Sequence, residues 1–319
     1  MSKKRVLVTG SAGFLGRTLL PLLQREGHQI TGTYLNEKPF LPGPRVQYAC
    51  LDILNSGQVF SLIQKLRPDW IFHLAGMAIA RDSWRDIAGT FQANVYGTLH
   101  ILEAVRRLAL PSRFFLASSI QVYGRQFRKK EKIEERTVFW PETPYAATKA
   151  IAELAALDYA GRFGLDVVVG RFANSVGPGQ PSVLVFSEWC RQIARIEQGQ
   201  KKAVLETGNL QVYREFLHAQ DTAAGMLVLM KKGRRGEVYN VASGKACLLK
   251  DYARFLAGRC SRKIHMQTRK SHLRSYDPVK ISVSAAKLKK LGWQPRRRIE
   301  EGLLELLQEW RAREKGQKA

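Results

Sequence analysis

Short runs of β-branched and aliphatic residues alternate along the first half of the chain with segments whose apolar positions recur every three to four residues. The first pattern fits strands buried on both faces, and the second fits helices with one apolar stripe. Strands are predicted over residues 5–9, 29–34, 70–74, 113–117 and 166–170. Helices are predicted over 14–26, where Gly27 supplies the stop, and over 56–66, 90–107 and 145–163. Strand and helix in repeated turn predict an α/β chain with a doubly wound parallel sheet, since each helix returns the chain to the same edge. After residue 170 the rhythm breaks. Gly177-Pro178-Gly179-Gln180-Pro181 marks a loop, followed by a helix over 185–198 and shorter mixed elements. A smaller C-terminal lobe is expected over 171–319. It is discontinuous, because a strand over 237–241 fits either lobe and part of 210–243 then joins the 1–170 unit. An amphipathic helix is predicted over 299–311, with a frayed end from Glu314.

The composition adds little to this picture except for its charge. No apolar run approaches the ~18 residues a membrane helix needs, and the apolar stretch after Lys3-Lys4-Arg5 is too short for a signal-peptide core. A cytoplasmic protein with no membrane partner is expected. Cys50, Cys190, Cys247 and Cys260 are widely spaced, which suggests buried reduced thiols and no metal site. Against 27 Asp and Glu stand 52 Lys and Arg, a net charge of +25 that attracts anions of any kind. A polyphosphate substrate, nucleic acid and an anionic membrane surface all fit such a field. The denser basic runs, at 125–132, 231–235, 287–290 and 296–298, are not interleaved with aromatics as in single-strand binders, so no nucleic-acid partner is expected.

Gly10-Ser11-Ala12-Gly13-Phe14-Leu15-Gly16 lies between a predicted strand and a predicted helix. There a glycine turn lets backbone N–H groups and a helix N-terminus receive a pyrophosphate. The end of the second strand, where an acidic residue would select NADH, holds Tyr34 and then Leu35 and Asn36. Without that carboxylate nothing repels a 2′-phosphate, and Arg17 and Lys38 could balance one, so NADP(H) is favoured over NAD(H). Tyr145-Ala146-Ala147-Thr148-Lys149 opens a helix, and its i, i+4 side chains share one face. An ammonium near a phenol lowers its pKa from about 10, which would make Tyr145 a general acid or base. Ser118-Ser119-Ile120-Gln121-Val122-Tyr123-Gly124 follows a strand at the edge where open α/β sheets bind ligands, and Ser119 could hydrogen-bond a reacting oxygen there. His73-Leu74-Ala75-Gly76 and Asn94-Val95-Tyr96-Gly97-Thr98 place further small and polar residues at the same edge.

Together with Arg171-Phe172-Ala173-Asn174 before Gly-Pro-Gly, and Leu291-Gly292-Trp293-Gln294-Pro295 near the end, these motifs resemble the extended short-chain dehydrogenase/reductases over nearly the whole chain. Within that family the chain is most similar to the GDP-sugar branch of 4-dehydro-6-deoxy-mannose reductases and GDP-mannose 4,6-dehydratases. Asp82-Ser83-Trp84, Gly208-Asn209-Leu210, Arg214-Glu215-Phe216 and Gly236-Glu237-Val238-Tyr239-Asn240-Val241 carry that similarity. Ser175 after Asn174, the neighbours Tyr213 and Glu215 of Arg214, and Ser275 after Arg274 depart from the pattern and leave the exact sugar open.

The resemblance implies a Rossmann-type dinucleotide domain and a substrate-binding lobe, with catalysis by Ser119, Tyr145 and Lys149. It implies cofactor contacts from Gly10, Gly13, Phe14, Leu15, Gly16, Arg17, Asp52, Ile53, Leu74, Ala75, Gly76, Asn94, Tyr145 and Lys149, with Asp52 near the adenine. Substrate contacts would come from Ser119, Gln121, Asn174, Asn209, Arg214 and Arg274, and no metal is needed. The implied reaction is NAD(P)H-dependent reduction of the C4 keto group of a nucleotide-linked 4-keto-6-deoxy sugar, GDP-4-dehydro-6-deoxy-D-mannose to GDP-D-rhamnose. A 4-epimerase or a 4,6-dehydratase would share the fold and the Ser/Tyr/Lys set. Dehydratases of the family carry a glutamate two residues before the tyrosine of the Tyr-Gly segment, where this chain has Gln121. A homodimer through the helices 90–107 and 145–163 is also implied. A reading of another class is a non-catalytic relative that binds RNA through its basic surface.

Overall fold

The computed structural model describes residues 3–36, 46–129, 133–272 and 278–316. The first half runs β1 (Arg5–Thr9), α1 (Phe14–Arg25), β2 (Gln29–Tyr34), β3 (Val46–Cys50), α2 (Ser56–Leu66) and β4 (Trp70–His73). It continues through α3 (Ile87–Phe91), a π turn over Gln92–Tyr96, α4 (Gly97–Arg107), β5 (Arg113–Ser119), α5 (Gln126–Lys129), α6 (Pro144–Arg162) and β6 (Asp166–Phe172). The second half contains β7 (Asn174–Val176), α7 (Val185–Glu197), β8 (Val204–Thr207), β9 (Tyr213–His218), α8 (Ala219–Lys232) and β10 (Glu237–Val241). It ends with β11 (Ala246–Leu248), α9 (Leu249–Ala257), β12 (His265–Thr268), α10 (Ala286–Lys289) and α11 (Ile299–Gly316).

Seven strands form one parallel sheet in the order β10-β6-β5-β4-β1-β2-β3, which is the doubly wound arrangement. Alternation along each strand sends neighbours to opposite sides. Val6, Val8, Phe72, Phe115 and Val168 enter one apolar core, while Leu7, Ile71, Phe114, Leu116, Val167 and Val169 enter the other. α1 and α8 cover the first core through Leu19, Leu20, Leu23, Met226 and Met230. α2, α4 and α6 cover the second through Val59, Ile63, Ile101, Leu102, Ala152 and Ala156.

Local chemistry sets several of the boundaries. Gly27 takes φ +81° just beyond α1. Asn55 caps α2 by accepting Gln58 N at 3.0 Å, and Thr143 caps α6 with Pro144 in its first turn.

β3 is a strand that the apolar pattern does not announce, because Val46-Gln47-Tyr48-Ala49-Cys50 holds one β-branched residue and sits half-buried at the sheet edge. The single helix expected over 90–107 is instead α3, a π turn and α4 in succession. α11 runs to Gly316, beyond the fraying expected from Glu314, because the Glu314 side chain is buried within 4.0 Å of Arg195. Of the cysteines expected to be buried, Cys190 is, whereas Cys50 and Cys247 are exposed and all four are free thiols.

β10 pairs in parallel with β6, and α8 packs on α1, β5 and β6. The other strands of the second half form a three-stranded sheet, β11-β9-β7, and a two-stranded one, β12-β8. These pack with α7, α9 and α11 around Phe186, Trp189, Ile193, Tyr252, Leu306 and Trp310. Trp293 closes the seam: its indole N–H donates to Asp221 O at 3.1 Å, and the Asp221 carboxylate accepts the N–H groups of Arg296 and Arg297. No helix among the described residues is long and apolar enough to cross a membrane.

Candidate active site

The C-terminal ends of β1, β4, β5 and β6 open onto one crevice, and the candidate residues are distributed along it. After β1 the chain turns sharply at Gly10, with φ +67°. A Cβ there would lie 2.7 Å from Ala75 N, and one at Gly16 would lie 2.6 Å from Gly10 O. Only glycine lets the turn press against the loop after β4 and against itself. Gly13 precedes α1 as its N-cap and offers no side-chain acceptor, so the first-turn N–H groups of Phe14 and Leu15 face the crevice without an internal cap. That open helix end beside a glycine cradle fits a dinucleotide pyrophosphate. Arg17 lies across the turn, with Nε donating to Ala12 O at 2.7 Å, and its charge reaches Tyr48 on β3. The Tyr48 hydroxyl is buried and has no hydrogen-bond partner among the described residues. Asp52 and Ile53 follow β3. Asp52 Oδ1 accepts Leu54 N at 2.9 Å, and Ile53 is buried where a Cβ on Gly97 would meet it.

β5 and α6 supply the reactive groups. Ser119 is the last residue of β5, and its Oγ accepts Gln121 N at 3.2 Å. Tyr145 sits in the first turn of α6 with its N–H donated to Ser83 Oγ at 3.1 Å, so the Asp82-Ser83-Trp84 segment fixes the start of that helix. The Tyr145 side chain is buried beside the Ser119 hydroxyl. Burial pushes the phenol above its ordinary value, and the neighbouring Ser119 hydroxyl offsets only part of that rise. The sequence predicts the opposite direction, from the nearby ammonium. Lys149 Nζ is 6.0 Å from the Tyr145 ring centroid and donates to Ala117 O at 3.0 Å, so desolvation of the phenol dominates. Burial lowers the Lys149 ammonium to about 8.

Asn94 lies in the π turn, a helical irregularity often found at functional sites. Its Oδ1 accepts Met77 N at 2.9 Å, while Nδ2 donates to Met77 O at 3.0 Å and to Thr148 Oγ1 at 2.9 Å. It therefore staples the Leu74-Ala75-Gly76 loop to α6, between Tyr145 and Lys149. Gly76 has to be glycine beside it, since a Cβ would fall 2.4 Å from Asn94 Oδ1. His73 bridges Thr9 Oγ1 at 2.8 Å and Thr98 Oγ1 at 3.1 Å, tying β1 and β4 to α4. Burial, with the Lys149 charge beside it, lowers His73 to about 3 and keeps it neutral.

Behind the reactive groups lies a network that motif reading misses. Glu153, one helical turn past Lys149, is fully buried and accepts Ser118 Oγ at 2.9 Å and the Arg171 guanidinium. Arg171 Nη1 donates to Tyr123 OH at 2.7 Å, and Tyr123 OH donates to Asn240 Oδ1 at 2.7 Å. The signal available in the sequence is the continued four-residue spacing Tyr145, Lys149, Glu153 along one helix face.

In the second half of the chain, Asn174 begins β7, next to β9, and its Nδ2 donates to Glu215 O at 3.1 Å. Arg214 is nearly buried on β9, with Nη1 donating to Tyr213 O and Pro278 O, both at 2.8 Å. Asn209 is exposed at the turn before β9, where Oδ1 accepts Gln211 N at 2.9 Å. Gln121 lies in the short 3-10 turn after Ser119, partly exposed. Arg274 and Lys38 fall outside the described residues.

Residues 7–306 match the GDP-mannose 4,6 dehydratase family. The chain is 32% identical to the GDP-6-deoxy-D-mannose reductase of Pseudomonas aeruginosa over 311 residues, 97% of this chain and 98% of that protein. It is 29% identical to the GDP-mannose 4,6-dehydratase of Sinorhizobium fredii over 257 residues, 76% of this chain and 72% of that protein. Its fold superposes on the structure of RMD from Pseudomonas aeruginosa complexed with NADPH with a TM-score of 0.86, covering 98% of this chain and 100% of that one at 32% identity.

Proposed function

The chain belongs to the GDP-mannose 4,6-dehydratase family, and from that premise we propose that it reduces the C4 keto group of GDP-4-dehydro-6-deoxy-D-mannose to give GDP-D-rhamnose. The observation that carries this reading is the convergence of the buried Ser119 and Tyr145 side chains, from the end of β5 and the start of α6, with Lys149 one helical turn away and the glycine cradle on the same crevice. A bound nicotinamide dinucleotide supplies the hydride. Gly10, Gly13 and Gly16 would hold its pyrophosphate at the start of α1. Leu74, Ala75, Gly76 and Asn94 would line its path towards Lys149, and Asp52 and Ile53 would flank the adenine.

The chain's own part is proton delivery and polarisation. Ser119 Oγ donates to the keto oxygen, drawing charge towards it, and Tyr145 passes its phenolic proton to the oxygen as the alcohol forms. A phenol held above its ordinary pKa is protonated throughout the neutral range, as a proton donor in a reduction must be. The Lys149 charge stabilises the phenolate left behind, and its ammonium is placed to hold a ribose hydroxyl. Arg214, Asn174, Asn209 and Arg274 would hold the sugar nucleotide, with the planar guanidinium matched to a diphosphate.

NADPH is the preferred cofactor on this reading, because Arg17 and the Tyr48 hydroxyl, which has no partner among the described residues, sit beside the turn that follows β1, and the described residues at the end of β2 include no carboxylate. A homodimer is part of the proposal. Tyr96 beside α4, and Ile151, Leu154 and Phe163 on and after α6, are exposed apolar side chains on the two helices expected to pair.

The test is to mix the protein with NADPH and GDP-4-dehydro-6-deoxy-D-mannose and to follow nicotinamide absorbance and the sugar product. Stoichiometric oxidation with formation of the 4-hydroxy sugar is expected. Absence of substrate-dependent oxidation refutes the reductase reading, and interconversion of 4-epimers without net oxidation replaces it with an epimerase.

A further inference from the structure

The loops at the strand ends that frame the crevice carry none of the excess positive charge. The four segments that line the crevice, residues 9–16, 73–80, 117–124 and 172–181, contain no Lys, Arg, Asp or Glu. The opposite edge of the sheet is built from the strand starts and the helix-to-strand connections. It consists of residues 3–5, 25–29, 65–69, 106–113, 162–166 and 231–237, and these hold fourteen Lys or Arg against four Asp or Glu. About a tenth of the chain thus carries ten of its +25 charges on the face turned away from the active site.

Part of this is helix chemistry, since cations in a last turn complement the helix dipole. That accounts for Arg25, Lys65, Arg107 and Lys232. It does not account for Arg67, Arg234 and Arg235, which lie beyond the helices and are exposed. Local carboxylates absorb only part of the field: Asp69 pairs with Arg5, Glu26 with Lys231, Asp166 with Arg113, Glu103 with Arg106 and Asp158 with Arg162, which leaves Lys65, Arg67, Arg107, Arg234 and Arg235 among the cations in excess. The seven parallel strands spread this edge over roughly 30 Å at about 4.8 Å per strand.

We propose that this back face docks the protein on an anionic phospholipid bilayer, with the crevice directed away from the lipid. The expectation of no membrane partner rested on the lack of an apolar span, and a peripheral electrostatic contact needs none. A broad face ending in short loops meets a plane of phosphates with all its cations at once. Among the described residues no helix or ribbon projects from it to enter a nucleic-acid groove, and the Phe163 ring at its border has the Arg106 guanidinium over one face at 5.1 Å.

The experiment is co-sedimentation of the full chain with vesicles of 30% phosphatidylglycerol in phosphatidylcholine, and with pure phosphatidylcholine. We expect binding to the first, none to the second, and loss of binding at high salt. Arg234→Ala with Arg235→Ala should weaken binding roughly thirtyfold, as removal of two surface cations implies. Reductase turnover in solution should not change. The matched pair Arg254→Ala and Lys263→Ala, exposed on the second lobe, should leave vesicle binding near the wild-type value. No binding to the anionic vesicles overturns the proposal, and so does equal weakening by both pairs, which would reduce the effect to net charge. Duplex DNA that displaces the protein from the vesicles at equal phosphate concentration overturns it in favour of nucleic acid.

Discussion

Lys149 Nζ is held 3.0 Å from the carbonyl oxygen of Ala117, two residues before Ser119 on the same strand. The ammonium is thereby fixed to the strand that carries the serine while its own helix carries the tyrosine, so one hydrogen bond sets the spacing of all three groups.

That burial has a pH signature. The Lys149 pKa is lowered to about 8, so its charge is present below that value and lost as the pH rises through it. Tyr145 is shifted upward and stays protonated over the same interval. We expect kcat/KM for NADPH, which reports groups of the free enzyme, to fall about tenfold per unit above about pH 8. In Lys149→Arg, whose charge persists, that limb should vanish even if the rate is lower. Folding stability should move the other way and rise between about 8 and 10.5, because the unfolded chain keeps the proton that the native lysine has released. An alkaline limb that is unchanged in Lys149→Arg would assign it to another group.

Tyr145→Phe keeps the ring in its buried place and removes the phenolic proton. Turnover should drop by about 10²- to 10⁴-fold, the usual worth of a positioned proton donor. NADPH affinity, measured by fluorescence titration, should change little, since the ring is not needed to close the glycine cradle. A variant retaining most of its turnover would remove Tyr145 from the chemistry.

The Glu153–Arg171 pair should matter for the fold of the site. Glu153→Gln leaves a guanidinium buried against a neutral amide, at a cost of about 3–5 kcal/mol. Ser118→Ala removes one hydrogen bond to Glu153, worth about 1 kcal/mol. Urea denaturation monitored by tryptophan fluorescence should rank wild type above Ser118→Ala, and that above Glu153→Gln. Equal stability of all three would mean that the pair is not holding β5, β6 and α6 together.

Much of this architecture is legible in the sequence, for identifiable reasons. The strands over Arg5–Thr9 and Gln29–Tyr34 and the helix over Ser56–Leu66 are bounded as the periodicity predicts, because glycine, asparagine and proline punctuate them. β5 and β6 run two residues further than their apolar pattern, since Ser118 and Ser119 still pair with Arg171 and Phe172 in the ladder. No local property of a serine announces that. The Glu153–Arg171 contact joins residues 18 apart through a helix and a strand, so it exists only once the sheet has formed. The Tyr145 direction was misread because spacing reveals a nearby lysine but not how far both groups are withdrawn from water. The asymmetry of charge between the two sheet edges is written in the sequence, yet it becomes visible only when the topology says which loops share an edge.

Arg17 offers a test of cofactor choice. Its guanidinium lies over the glycine turn at Ala12 O, and its field reaches the buried Tyr48 hydroxyl, which has no partner among the described residues. Arg17→Ala should raise the KM for NADPH about tenfold, the worth of one charge-assisted contact to a phosphate, while leaving that for NADH nearly unchanged. Parallel changes in both constants would make Arg17 a support of the turn, not a reader of the 2′-phosphate.

The last prediction separates reduction from dehydration and rests on Gln121. The resemblance places a glutamate at this position in the dehydratases, where a carboxylate takes the C5 proton once C4 has been oxidised. In this chain the position follows Ser119 by two residues, and the Gln121 backbone N–H donates to Ser119 Oγ, so the residue sits next to the candidate serine. An amide has no basic lone pair suited to that proton transfer, and its two N–H groups are donors. The nearest buried carboxylate behind the site, Glu153, is engaged by Arg171 and Ser118 and is not available as a replacement. The wild-type protein supplied with GDP-mannose and catalytic NADP should therefore give no 4-keto-6-deoxy product. Gln121→Glu should introduce a slow dehydration, detectable as a 4-keto-6-deoxy product that carries solvent deuterium at C5, with NADPH-dependent reduction kept within about tenfold of wild type. Formation of the 4-keto-6-deoxy sugar by the unmodified protein would refute the assignment and move the chain to the dehydratase side of its family.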